Sequence, residues 1–233
     1  MDQDEALIEK LAPDSLLRAL DPAQLAQLLK SSKRRELKRG EIIISQGDEV
    51  GDFAVILLAG SLKISMVSVN GREIILNYCK PGDVVGEIAM LDRGPRTASV
   101  SAAEASEVLV IPAPAFEVAA TANHASMIGL LRTMAGHIRT ANLVVESDRT
   151  FSMAPRLARA LVRLLDPDNP DSGKLRHNPS QSDLGAFAGL ARENVSRLLT
   201  DWEDKGIVAK SGRSLEVRDR EYLEFLAEFG DDD

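Results

Sequence analysis

The chain has 233 residues, of which 44% are hydrophobic, 27% charged and 4% aromatic, and its formal net charge is −8. That length suits one large domain or two small ones with aliphatic cores, and the net acidity weighs against nucleic acid as a partner unless a local face is basic. The single cysteine, Cys79, excludes an internal disulfide and by itself holds no zinc or iron–sulfur group, so a reducing cytoplasm is expected. No apolar run approaches the roughly 20 residues that cross a bilayer, and the acidic start MDQDEALIEK lacks the apolar core of a secretion signal.

The first thirty residues read as short helices. In DPAQLAQLLK, Asp21 is the expected N-cap, Pro22 takes the first helical position, and Leu25, Leu28 and Leu29 share a face. From Glu36 to about Ala113 the pattern changes to short apolar runs, namely EIIIS, FAVILL, SLKISMV, EIILNYC and EVLVI, separated by GD, AG, NG and PGD. Strands at this spacing predict an antiparallel sandwich or barrel, with a hairpin at Asn70-Gly71.

One stretch in this region, GEIAMLDRGPRTASV (Gly86 to Val100), places Glu87 and Arg96 among apolar residues. Either the two form an ion pair on a surface turn, or each faces a ligand with something for it to hold.

From Pro114 the reading turns helical. Met127, Leu131, Met134, Ile138, Ala141 and Val145 recur at alternating spacings of four and three, a seam of about three heptads. Leu130, His137 and Val144 form a second row on another face. The seam fits a helix packed on its own sheet; two apolar faces favour a helix between that sheet and a partner helix, as in a homodimer. The polar SDRTFSM (Ser147 to Met153) breaks the seam and is the expected hinge, Pro155 opens a new helix, and PDNPDSG (Pro167 to Gly173) is a loop by composition.

The C-terminal segment reads as helix, glycine turn, helix, wing. Ser182 is the expected cap of the first helix, which carries Leu184, Phe187 and Ala188. Gly189 makes the turn, and a second helix from about Ala191 to Asp204 buries Val195, Leu198, Leu199 and Trp202. IVAK and LEV, joined by SGRS, form a two-stranded wing. Arg192, Glu193, Ser196 and Arg197 lie off the apolar stripe. They are either a solvated helix face or a base-reading set, since arginine can donate twice to guanine O6 and N7 and glutamate can accept from cytosine N4.

Two of these motifs, GEIAMLDRGPRTASV and LARENVSRLL, give the whole chain a resemblance to the CRP/FNR family of transcription regulators. The first resembles that family's phosphate-binding cassette for a cyclic nucleotide, the second its recognition helix. The resemblance implies an α+β chain in three parts. Residues 1–122 would be a jelly-roll-like cyclic-nucleotide-binding β-roll with N-terminal helices. Residues 123–147 would be a dimerisation helix, and 148–233 a winged helix-turn-helix domain.

It also implies roles. Gly86 would let the backbone approach the ligand, Glu87 would accept from the ribose 2′-hydroxyl, and Ile88 would help start the cassette helix. Arg96 would pair with the cyclic phosphate, followed by Thr97 and Ala98, and Leu76 would pack near the base. Where the family has a base-sensing Thr-Ser pair on the long helix, this chain has Ala141 and Asn142, with Thr140 just before. Asn142, or Thr140 in a register shifted by one, is then the group for a purine edge. Cyclic AMP is the implied effector, with cyclic GMP, another ligand or no nucleotide as alternatives. Arg192, Glu193 and Arg197 match the family's Arg-Glu-Arg set, which implies a TGTGA-like palindrome in double-stranded DNA. RNA polymerase is the implied further partner, with neither metal nor membrane and no enzymatic activity. The cysteine cluster of oxygen-sensing relatives is absent, and His124, His137 and His177 show no haem-like arrangement. The strands also lack the clustered histidines that a cupin enzyme needs for its metal.

Overall fold

A computed structural model of the chain describes residues 17, 20–166, 169, 172–212 and 214–231; within them the side chains at 133, 137, 140, 143, 144, 147–149 and 211 are not described. The helices expected before residue 17, and residues 167, 168, 170 and 171 of the expected loop, lie outside that set, as do the side chains of Thr140, His137 and Val144. The described residues up to Ala141, apart from Ser68–Ile75, form one compact unit. Ser68–Ile75 and the residues from Asn142 onward form a second.

In the first unit, α1 (Pro22–Lys30) begins as expected. Asp21 accepts from the Gln24 amide at 2.9 Å while the Gln24 side chain accepts from the Asp21 amide, a reciprocal cap, and Leu25, Leu28 and Leu29 are buried. Asp21→Ala is therefore expected to destabilise this unit by about 1 kcal/mol, read as a lower unfolding midpoint with an unchanged denaturant slope.

Eight strands follow: β1 (Lys33–Leu37), β2 (Ile42–Ile44), β3 (Phe53–Ala59), β4 (Leu62–Val67), β5 (Glu73–Cys79), β6 (Val84–Val85), β7 (Ser99–Ala102) and β8 (Ser106–Pro112). They form two four-stranded sheets, ordered β1-β8-β3-β6 and β2-β7-β4-β5, in which β1 and β8, β8 and β3, β3 and β6, β2 and β7, and β7 and β4 run antiparallel. The turn between β4 and β5 holds Asn70-Gly71, with Gly71 at φ 73° and the Ser68 and Arg72 backbones hydrogen-bonded at 2.9 Å.

Side-chain alternation along β3 and β8 builds two cores. Val55, Leu57 and Val108 point into the roll with Leu37, Ile44, Leu62, Cys79, Val85, Val100 and Ala102. Ile56, Leu109 and Ile111 face the opposite side, where Leu25, Leu28, Leu29, Phe116, Ala119 and Ala120 cover them. Two covered faces explain why FAVILL is continuously apolar rather than alternating. Helices α2 (Glu87–Asp92) and α3 (Ala113–Thr121) complete the β region, and α4 (His124–Thr150) leaves it.

The long helix separates its two rows only in part as expected. Leu130 and Met134 are half-buried against the β-roll core, so Met134 belongs to its own sheet rather than to the seam. Met127, Leu131, Ile138 and Val145 stay exposed, Leu131 and Ile138 at 59% and 63%. The helix also runs three residues past the expected limit at 147. The break within Ser147–Met153 is confined to Phe151 and Ser152, before α5 (Met153–Leu164).

The second unit continues with α6 (Gln181–Ala188), α7 (Arg192–Asp204), β9 (Val208–Ser211), β10 (Ser214–Val217) and α8 (Arg220–Phe229). Leu157, Leu161 and Leu164 of α5, Leu184 of α6, Val195, Leu199 and Trp202 of α7, and Leu223 and Leu226 of α8 are buried. Leu198, expected in that core, is half-buried. β9 and β10 pair antiparallel, with Val208 opposite Val217.

Candidate functional site

The Gly86–Val100 stretch turns inward, not outward. Gly86 takes φ 87°, which non-glycine residues rarely adopt, and a Cβ there would stand 2.7 Å from Ile44 Cδ1 and 3.0 Å from Arg96 Nη1. The sharp turn ends β6 and starts α2 with Glu87, which is only 7% exposed.

Arg96 is 4% exposed. Its Nη1 donates to the Gly86 carbonyl at 2.8 Å and its Nη2 to the Phe53 carbonyl at 2.7 Å. The guanidinium lies 4.8 Å from the centroid of the Phe53 ring, and Asp52 Oδ1 is 3.9 Å from Nη2. The backbone is pinned as well. The Arg96 amide donates to the Asp48 carbonyl at 2.9 Å, and its carbonyl accepts from Gly47 at 2.8 Å. Burial lowers the Arg96 pKa from its ordinary value, against the opposing charges of Asp52, Asp48 and Glu87; the group remains a cation.

Of the two readings for Glu87 and Arg96, a surface ion pair is therefore excluded, because both side chains are buried. The arrangement is a buried cation held by two backbone carbonyls and an aromatic face. Among the described residues those two bonds use two of the five guanidinium N–H groups, leaving donors for an anion.

Gly86 and Arg96 meet through the Gly86 carbonyl, and Glu87 follows directly at the start of α2. Thr97 is exposed and Ala98 half-buried, and both lead directly into β7; Ile88 and Leu76 are exposed apolar residues on α2 and β5. Asn142 is exposed on α4 and belongs to the second unit, while the Thr140 side chain is outside the described set. Phe53 and Asp52, which complete the surroundings of Arg96, were not foreseen. They sit more than forty positions earlier in the chain, and no local pattern marks a backbone carbonyl as a partner.

The second candidate surface lies on α7. Ser180, not Ser182, caps α6. Its hydroxyl accepts from the Asp183 amide at 3.0 Å, and the Asp183 carboxylate accepts from the Ser180 amide at 3.1 Å. Ser180 wins because only it stands three residues before a carboxylate that can return the bond. Gly189, at φ 67°, ends α6. Arg156 of α5 then holds the turn: its Nε donates to the Ala188 carbonyl at 3.0 Å and its Nη2 to the Gly189 carbonyl at 2.9 Å.

Across that turn α7 buries Val195, Leu199 and Trp202 and presents Arg192, Glu193 and Arg197 outward, with Ser196 half-buried. All four line one open concavity with Gln181, Thr200, Asp201 and Asp204. The two arginines occupy the N-terminal half of the helix with Glu193 between them, and the two aspartates lie at the other end, so the cationic groups of this concavity are gathered where the helix begins. Burial lowers the nearby His177 to about 4 despite the opposing charge of Asp183, which keeps that imidazole neutral at physiological pH. Among the described residues no cluster of three or more His, Cys, Asp or Glu is placed to hold a metal ion, and no helix is long and apolar enough to cross a membrane.

A β-roll with a buried arginine beneath a glycine turn, followed by a winged helix-turn-helix, defines a sensor domain joined to a DNA-reading domain. Comparison with known families agrees in both halves: residues 34–123 match the cyclic nucleotide-binding domain, and residues 155–226 match the Crp-like helix-turn-helix domain. The chain belongs to the CRP/FNR family of transcription regulators.

The chain is 27% identical over 219 residues to the CRP-like cAMP-activated global transcriptional regulator of Mycobacterium tuberculosis, covering 92% of this chain and 97% of that one. It is 29% identical over 212 residues to the cyclic AMP receptor protein of Thermus thermophilus, covering 91% and 96%. The structure of FixK2 from Bradyrhizobium japonicum shares the fold with a TM-score of 0.72 at 24% identity, over 84% of this chain and 96% of that one.

Proposed function

We propose that the protein is a cyclic-nucleotide-responsive transcription regulator without enzymatic activity, acting in the cytoplasm as a homodimer on a TGTGA-like palindrome, with cyclic AMP as its effector. The observation that carries this reading is the Arg96 guanidinium, buried yet only partly used by Gly86 and Phe53, beneath a turn that only glycine makes easily. A fixed, desolvated cation of this kind suits a phosphate monoanion.

In this reading Arg96 holds the cyclic phosphate and Glu87 accepts from the ribose 2′-hydroxyl. Gly86 and Ile88 bring backbone to the ligand, Thr97 and Ala98 extend the phosphate contact, and Leu76 packs near the base. Asn142, or Thr140 in a register shifted by one, reads its edge. Because Ala141-Asn142 replaces the Thr-Ser pair, cyclic GMP is the second ligand to test. Isothermal titration calorimetry with each nucleotide separates the two, and a flat trace for both removes nucleotide sensing from the proposal.

The domains divide at 1–122, 123–147 and 148–233, the last residues of α4 falling in the third, with the partner helix covering the exposed Leu131 and Ile138. Leu131→Asp with Ile138→Asp is expected to shift the protein from dimer to monomer in analytical ultracentrifugation, raising the dimer dissociation constant about 100-fold or more. A dimer of unchanged stability places the interface elsewhere. On DNA, Arg192, Glu193, Ser196 and Arg197 enter the major groove, and the two recognition helices sit one turn apart, about 34–36 Å. RNA polymerase is the further partner.

A further inference from the structure

The junction between α4 and α5 is only two residues long, and the end of the described chain closes on it. Ser152 has the backbone position of an N-cap for α5, but its hydroxyl makes no capping bond. It donates instead to Asp231 Oδ2 at 2.6 Å. The neighbouring Phe151 meets two further residues. The Arg159 guanidinium lies 4.2 Å from its ring centroid, and the Arg159 Nε donates to the carbonyl of Ala227 in the last turn of α8. Gly230, at φ 85°, also lies against it: an added Cβ there would stand 3.2 Å from the Phe151 ring. Three independent contacts thus tie the two junction residues to Ala227, Gly230 and Asp231, and α8 is itself anchored by buried Leu223, Leu226 and Ala227.

A serine diverted from the bond its position favours, and a glycine needed both for its φ and for the ring beside it, make this more than a chain end lying on a surface. We infer that Ser152, Arg159 and Asp231 are positioning residues for DNA binding. They clasp the α4–α5 junction to the end of α8, so that the start of α5 is fixed by the C-terminal helix. Arg156, one turn before Arg159 on the same helix, carries the helix-turn-helix turn with it. The inference rests on the proposed function in naming DNA binding, and its response to cyclic AMP, as what the junction controls.

Hydrogen exchange on the full-length protein tests the clasp directly. Ser152→Ala and Asp231→Ala are each expected to speed exchange of the amides at 151–155 by about tenfold, as loss of one hydrogen bond does. The double variant should match either single one, because both remove the same bond, while Ser152→Thr keeps slow exchange. The same variants should shrink the ratio of DNA affinities with and without cyclic AMP at least about threefold, while melting temperature stays near that of the wild type. Unchanged exchange in both single variants, or effects that add in the double one, overturns the clasp. Faster exchange with an unaltered affinity ratio overturns its role in DNA binding. If the wild-type protein shows no nucleotide response, it is the proposed function that fails, and the exchange result still decides the clasp.

Discussion

Arg96→Ala is expected to lower cyclic-nucleotide affinity about 30-fold or more, since truncating one partner of a buried, hydrogen-bonded charge pair costs about 2–5 kcal/mol. The geometry adds a second effect. Arg96 also satisfies the Gly86 and Phe53 carbonyls, so its removal strands two part-buried acceptors, at no more than about 1–3 kcal/mol each. The variant should therefore unfold at a lower temperature as well as lose ligand. Arg96→Lys separates the two effects: the positive charge remains, but a single ammonium cannot span both carbonyls and an anion in the same planar fork. Calorimetry and thermal melts on all three proteins check this. An Arg96→Ala protein that binds cyclic AMP with wild-type affinity removes Arg96 from the ligand site.

The second large effect is on sequence reading. Arg192 is exposed at the start of α7, beside Glu193 and one turn before Ser196 and Arg197. If it donates two bonds to one guanine, Arg192→Ala should cost about 1–3 kcal/mol of discrimination at that base, roughly 5- to 150-fold, with other positions unaffected. Titration against an operator set substituted one base at a time reads this. Uniform weakening with a salt slope reduced by about one would make Arg192 a phosphate contact instead.

What the sequence made legible is what local chemistry encodes. Asp21-Pro22, Asn70-Gly71 and Gly189 each carry a cap or a positive φ in a few residues, and each appears where its pattern implies. What it hid depends on distant partners. β1 reads KRREL, a charged run with only Leu37 buried; it is a strand because β8 pairs with it and Glu107 meets Arg34 at 3.0 Å. β6 is two residues long, too short for any alternation to register. Met134 fits a heptad seam, yet the β-roll core takes it, because a spacing of three or four does not say which of two apolar faces a residue joins.

The candidate sites follow the same division. Gly86, Glu87 and Arg96 are adjacent enough to be seen as a unit, whereas the carbonyl and ring of Phe53 are brought by sheet pairing. Ser152 and Asp231 meet across 79 positions. The helix-turn-helix residues were legible because a single helix presents all of them; Arg156, which holds their turn, lies on a different element and carried no signal of its own.

The central claim is that a cyclic nucleotide on the β-roll controls DNA reading by α7. A titration of the full-length protein on a TGTGA palindrome, without nucleotide, with cyclic AMP and with cyclic GMP, tests it most directly. Two protomers should bind per palindrome, at least about tenfold more tightly with one of the nucleotides, as a differential coupling of a few kcal/mol between two conformations requires. Equal affinity under all three conditions would contradict the account.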